Sequence, residues 1–168
     1  MCEDLSMNFD IGEQEELHPP PEELHLFSEM RLHKNDIPSK IVINFKRENT
    51  YLAFVSFHTL RWINRSAYIT FYVEPGCRGQ GIGKKCLKTA IDFVFRTLNL
   101  RRLSAEVYSY NKVSANLLKD LGFVCEGRLR SAKFHNEKYY DILVFGLLKK
   151  DWKGGGGDER KQNSHRGR

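Results

Sequence analysis

Three observations predict a single mixed α/β (α+β) domain. Runs rich in β-branched and aromatic residues, Ile41-Val42-Ile43-Asn44-Phe45, Tyr51 to Phe57 and Tyr68 to Val73, read as strands. Apolar residues then recur at helical spacing: Ile82, Cys86, Leu87, Ala90, Ile91, Val94 and Leu98. Between strand and helix lies a glycine-rich run, Arg78-Gly79-Gln80-Gly81-Ile82-Gly83. At 168 residues, 40% hydrophobic and 12% aromatic, the chain has the length and apolar content for one core.

Each element follows from local pattern. The acidic segment 1–21 ends in His18-Pro19-Pro20-Pro21, shows no convincing strand and is expected to be irregular or weakly helical. From Glu22 to Lys34, Leu24, Phe27, Met30 and Leu32 suggest a short amphipathic helix that Ile37-Pro38 ends. The first two strand runs flank Arg47-Glu48-Asn49, which predicts a hairpin, and Glu74-Pro75-Gly76 breaks the strand through Val73. After the long helix come a strand, Leu103 to Tyr108, and a helix from Ser114 to Leu121 ended by Gly122. Two last strands, Gly127 to Phe134 and Tyr139 to Leu148, are joined by His135-Asn136-Glu137-Lys138. The domain is therefore expected over 22–153, with a disordered Gly-rich polar tail at 154–168 that has too little apolar surface to fold.

Charge narrows the function classes. Residues 1–30 hold nine Asp or Glu and no Lys or Arg, whereas 31–153 hold 23 basic against 10 acidic residues, a net +13. A basic fold implies an acidic partner, either nucleic acid or a phosphorylated ligand. No RNA-binding aromatic motif, zinc-finger spacing or basic helix with heptads is present, which makes nucleic acid the minor reading. No apolar run approaches the ~18 to 20 residues of a membrane span. Acidic residues stand where a signal peptide has basic ones, so no membrane association and a cytoplasmic address are expected. Cys2, Cys77, Cys86 and Cys125 have neither C-x-x-C spacing nor a disulfide framework and are most simply reduced thiols; no metal site is indicated.

The glycine run carries the chemistry. Three glycines where a strand meets a helix N-terminus allow close approach of the backbone, and the unpaired N–H groups there favour an anion. The spacing fits neither G-x-G-x-x-G nor G-x-x-x-x-G-K-[ST], which excludes the Rossmann and Walker loops. A glycine turn that merely starts a helix is the bland alternative.

The run resembles the R-x-x-G-x-G signature of the GCN5-related N-acetyltransferases (GNAT), whose loop cradles the pyrophosphate of acetyl-CoA. Asn111-Lys112-Val113-Ser114, then Leu117-Leu118, Leu121-Gly122-Phe123 and Glu126-Gly127-Arg128-Leu129-Arg130, is similar to the N-x-x-S...L-G-F-x-x-E-G-x-x-R pattern of the ribosomal-protein-alanine branch. With Lys138-Tyr139-Tyr140-Asp141, Leu147-Leu148 and Trp152, the resemblance covers roughly Lys40 to Trp152. It implies a mostly antiparallel sheet flanked by helices, with splayed strands forming an acetyl-CoA groove. It also implies that the backbone of Phe71, Tyr72 and Val73 bonds the pantetheine arm. Arg78, Gly79, Gln80, Gly81, Ile82, Gly83 and Lys84 would hold the pyrophosphate, while Asn111 and Ser114 meet the pantetheine and sulfur end. Asn111 also suits a helix-entry turn, and Ser114 an N-terminal cap.

The implied reaction is attack by a neutral amine on the thioester, with a backbone N–H near Val73 stabilising the oxyanion. The acceptor class is a protein N-terminus or a small-molecule amine such as an amino sugar or amino acid. Proton carriers are harder to assign. Many relatives place Glu where this chain has Tyr68 and Tyr where it has Leu118, and the branch's candidate carboxylate aligns with Lys133. Ser114 is the candidate acid; Glu74, Glu106, Tyr68 and Tyr140 are candidate bases, each equally at home in a structural role. The family's first strand looks missing or degraded here, which suits an open acceptor pocket or one completed by a homodimer. Trp62, Arg61 and Arg65, with Arg128, Arg130, Lys133 and His135, are candidates for its rim; if they line it, a polycation is disfavoured. The alternatives are an acyl-CoA-binding or sensing module without catalysis and a basic nucleic-acid-binding domain.

Overall fold

The computed structural model describes residues 6–10 as backbone, together with residues 40–48 and 50–154. The helix expected from Glu22 to Lys34 and the tail beyond Gly154 lie outside the described residues. Seven strands form one sheet: β1 (Ser6–Asp10), β2 (Lys40–Arg47), β3 (Thr50–Arg61), β4 (Ser66–Val73), β5 (Arg102–Tyr108), β6 (Val124–His135) and β7 (Lys138–Leu148). Helix α1 (Ile82–Arg96) joins β4 to β5, and α2 (Lys112–Asp120) joins β5 to β6. The order across the sheet is β1-β2-β3-β4-β5-β7-β6, antiparallel at every contact except β4 with β5. This is the mixed, mostly antiparallel architecture expected.

The N-terminal segment departs from expectation, because Ser6–Asp10 is a strand paired antiparallel to β2 rather than irregular or helical chain. A first strand is therefore present, described over five residues. Leu5, Met7, Phe9 and Ile11 alternate with polar residues, a period of two that the surrounding acidic residues obscure.

Strand alternation divides the sheet into two faces. Ile41, Ile43 and Phe45 of β2, Val55 and Phe57 of β3, Ile69 of β4 and Leu103 of β5 share one buried cluster with α1 residues Leu87, Ile91 and Val94. Each such side chain fully removed from water contributes roughly 1.5–3 kcal/mol. Helix α1 buries the predicted stripe from Ile82 to Val94 and adds Phe95, whereas Leu98, expected on that stripe, lies beyond the helix end at Arg96. Helix α2 stops where predicted: Gly122 takes φ +89, and Gly122 N–H and Phe123 N–H close onto the carbonyls of Lys119 and Leu118. Trp152 Nε1 donates to Asp92 Oδ1 at 2.6 Å and ties the chain after β7 back to α1. Among the described residues no helix is long and apolar enough to cross a membrane.

Candidate active site

The site arises where two parallel strands part. Strands β4 and β5 pair only at Ser66–Tyr68 with Arg102–Ser104, after which they diverge. A groove of about 700 Å³ opens between them, lined by β4 from Ile69 to Val73, β5 from Ala105 to Val107, the glycine loop and α2. Glu74 N–H donates to Leu52 O on β3 at 2.9 Å. By antiparallel alternation Tyr72 and Thr70 also direct their backbone groups to β3, which leaves those of Phe71 and Val73 facing the groove. Tyr72 instead reaches the groove with its ring.

Above the groove the loop is set by glycine conformation. Gly79 and Gly81 have φ of +75 and +77, where an L side chain is strained, and Gly81 is the N-cap of α1. The first turn of α1 contains no acidic residue, and its leading N–H groups point out of the helix beside Lys84 and Lys85. A Cβ on Gly83 would stand 3.0 Å from Val73 Cγ2, so glycine there lets helix and strand close together. Arg78 Nε donates to Val73 O at 2.8 Å, and its guanidinium lies 5.3 Å from the Tyr72 ring centroid. Gln80 folds back to donate to Gly76 O at 2.9 Å, and Ile82 is buried; neither lines the groove. Lys84 meets Asp120 of α2 at 3.2 Å across the groove mouth.

At the other wall, Asn111 caps α2: its Oδ1 accepts from Ser114 N–H at 3.1 Å. Ser114 is thus the capped residue rather than the cap, and its side chain lines the groove with Asn111 and Glu106. The other candidate bases lie elsewhere. Glu74 follows β4 outside the lining, and Tyr140 packs edge-on against Tyr110, 4.7 Å between centroids, inside the β6–β7 hairpin. Tyr68 faces a second pocket of about 480 Å³ with Ser66, Ser104, Arg61, Arg101 and Arg102; no acidic residue lines it.

The suggested rim divides. Arg61 lines this second pocket, whereas Arg128 pairs with Asp141, Lys133 sits 4.9 Å over the Tyr108 ring and His135 stacks on Tyr110. Arg102 is bidentate to Glu126, which holds that carboxyl below its ordinary value. Asp141 is lowered first by the Ser131 N–H and then by Arg128. Burial pushes the Cys86 thiol up to about 12, so it is an inert core thiol. No metal-binding group of His, Cys, Asp or Glu occurs among the described residues.

Two groove-side residues escaped the sequence reading. Thr70 lines the groove, and His58 on β3 bonds it from behind, Nε2 to Thr70 Oγ1 at 3.0 Å. The signal was the alternation Phe54, Ser56, His58, which places polar groups on the sheet face opposite Val55 and Phe57.

Comparisons with known proteins bear on the fold and the family. The spermidine N(1)-acetyltransferase of Vibrio cholerae is 27% identical over 134 residues, 80% of this chain and 76% of that protein. YdaF of Bacillus subtilis, a provisionally assigned ribosomal N-acetyltransferase, is 29% identical over 100 residues, 60% of this chain and 55% of its own length. The match therefore spans about half of that relative. The ribosomal-protein-serine acetyltransferase of Escherichia coli is 28% identical over 110 residues, covering 66% of this chain and 61% of that one. A solved structure of the Vibrio cholerae spermidine N-acetyltransferase in complex with CoA and spermine superposes with TM-score 0.64 at 24% identity, over 67% of this chain and 68% of that one, a likeness of fold. A model of the Acetyltransferase (GNAT) family matches residues 9–123, more than half of the sequence, and the chain belongs to that family.

Proposed function

We propose that the protein is an acetyl-CoA-dependent N-acetyltransferase acting on a primary amine. The carrying observation is the continuity of the groove with the loop: groove-facing backbone at Phe71 and Val73 leads directly to left-handed Gly79 and Gly81 at the N-terminus of α1. An amide-bearing pantetheine arm suits the first part, as an added strand would. A pyrophosphate suits the second, with Arg78, Lys84 and the N–H groups of residues 79–84 as its donors.

In this reading the amine attacks the thioester carbonyl, and a fixed backbone N–H of Phe71 or Val73 stabilises the oxyanion. Ser114, on the α2 wall, donates a proton to the leaving sulfur. The acceptor is a protein N-terminus or a small amine that carries an anionic group. Arg61 and Arg101, with no lining carboxylate and with Arg102 already paired to Glu126, favour that charge and disfavour a polyamine.

A second function, acyl-CoA binding without turnover, is favoured by Leu118, fully buried where many relatives carry Tyr. Calorimetric titration with acetyl-CoA, CoA and dephospho-CoA, followed by acetylation assays on N-terminal peptides, amino sugars, amino acids and spermidine, separates the cases. Micromolar binding with turnover is the expected result. Binding without turnover on any amine selects the sensing module, and no binding by the folded protein removes both.

A further inference from the structure

The face of the sheet turned away from α1 carries a polar cluster that core packing does not explain. His58 is 6% exposed, Thr70 9% and Ser56 1%. His58 Nε2 lies 3.0 Å from Thr70 Oγ1 and Nδ1 lies 3.2 Å from Thr59 Oγ1, so hydroxyls engage both ring nitrogens. The ring stacks on Tyr68, 5.9 Å between centroids and 24° between planes, which fixes its orientation. Ser56, directly opposite Thr70 in the register, has a buried Oγ with no hydrogen-bond partner among the described residues. Strands β3 and β4 are already held by their backbone ladder, and buried polar groups are costly where apolar ones would serve.

We propose that Thr70 and His58 form the proton relay of the transfer reaction, with Thr70 touching the attacking amine in the groove and His58 acting through Thr70 as a positioning residue. The proposal rests on the N-acetyltransferase reading above. Glu74, Tyr68 and Tyr140 do not line the groove; of the candidate bases only Glu106 does, from β5, whereas Thr70 lines it on β4 next to the groove-facing backbone of Phe71 and has His58 behind it.

The chemistry requires one tautomer. With the proton on Nδ1, donated to Thr59 Oγ1, Nε2 keeps its lone pair and accepts from the Thr70 hydroxyl. Burial and then Lys40 push the His58 pKa down to about 4, so the ring is neutral near neutral pH. Lys40 on β2, paired with His58 across the ladder, and Tyr68 on β4 are the titratable groups facing it. As the amine nitrogen forms its bond to the carbonyl carbon, its N–H becomes far more acidic. That proton passes to Thr70 Oγ while the Thr70 hydroxyl proton passes to Nε2. The C–S bond then breaks with its electron pair on sulfur, which takes a proton from Ser114 or water. His58 returns its proton to solvent, Ser114 recovers one, and the net movement is one proton from nitrogen to sulfur.

The decisive measurement is the His58 tautomer by long-range proton–nitrogen NMR of 15N-histidine-labelled protein, which needs no acceptor. A Nδ1–H ring whose Nε2 resonance shifts in Thr70→Val is expected; a Nε2–H ring overturns the relay. With whichever probe amine is acetylated, His58→Gln and Thr70→Val should lower kcat about 100-fold, with KM and the acetyl-CoA Kd within about threefold of the parent. Thr70→Ser should restore most of the rate. Unchanged kcat in both variants overturns the proposal. Failure of the unaltered protein to bind acetyl-CoA instead overturns the function on which it rests.

Discussion

On one face of the sheet, β2 to β5 present Ile41, Ile43, Phe45, Val55, Phe57, Ile69 and Leu103 to the helices. On the other face β2, β3 and β4 present Asn44, Ser56, His58 and Thr70, all buried, with Tyr68 and Tyr72 beside them. Neighbouring residues in sequence therefore do different work: Phe57 fills the core, while Ser56 and His58 face away from it. Burial alone separates the two faces poorly. What separates them is the kind of contact each makes, dispersion on one side and, for His58 and Thr70, hydrogen bonds on the other, with Ser56 Oγ left unpartnered.

Breaking the apolar face should have the largest effect. Phe57→Ala, at a fully buried position, is expected to cost about 3–5 kcal/mol in denaturant unfolding. A loss below about 1 kcal/mol would mean that the helix-covered face does not dominate stability.

Acid should break the polar face next. Since the folded pKa of His58 is depressed, the unfolded chain binds a proton there first as pH falls. Its stabilisation is complete above the ordinary value of 6.5 and is lost between 6.5 and about 4. That loss is on the order of 3 kcal/mol. Thermal unfolding across this window should steepen for the parent and flatten in His58→Gln. Asp141 and Glu126, both depressed, add their loss only as pH falls through the carboxylate range.

At the groove, Arg78→Ala should weaken acetyl-CoA binding about tenfold, equivalent to ~1.4 kcal/mol, with little change in melting temperature. Equal affinity by calorimetry would sink the anion-seat argument. The smallest effect sharpens the comparison: Ser56→Ala, one residue from Phe57, removes an unpartnered hydroxyl and should leave unfolding free energy within about 0.5 kcal/mol or raise it. A large loss would reveal a bond that the hydroxyl makes.

Local patterns made much of this fold legible. The stripe from Ile82 to Phe95, the stop at Gly122 and the last two strands follow from periodicity and turn chemistry within a few residues. The loop was legible for the same reason, since left-handed Gly79 and Gly81 leave a mark in sequence. Strand Ser6–Asp10 was obscured because acidic neighbours outweighed a four-residue alternation. The site's second half was harder still. Whether Tyr68 faces the groove or the arginine pocket depends on where β4 and β5 stop pairing, a long-range property that β4's own sequence does not encode. His58 looked like one polar residue in a strand until register set it against Thr70.

The hydrogen bond from Arg78 Nε to Val73 O makes the arginine a latch held by the chain itself. Val73 O has two lone pairs, so an amide arm in the proposed cofactor site would either share that carbonyl with Arg78 or release the guanidinium toward the loop. Under the proposed function, a ligand with both an amide arm and a charged end would offer the guanidinium a new partner as it takes the old one. A fragment carrying only the arm would offer none, so Arg78→Ala should narrow the affinity gap between whole and truncated ligands.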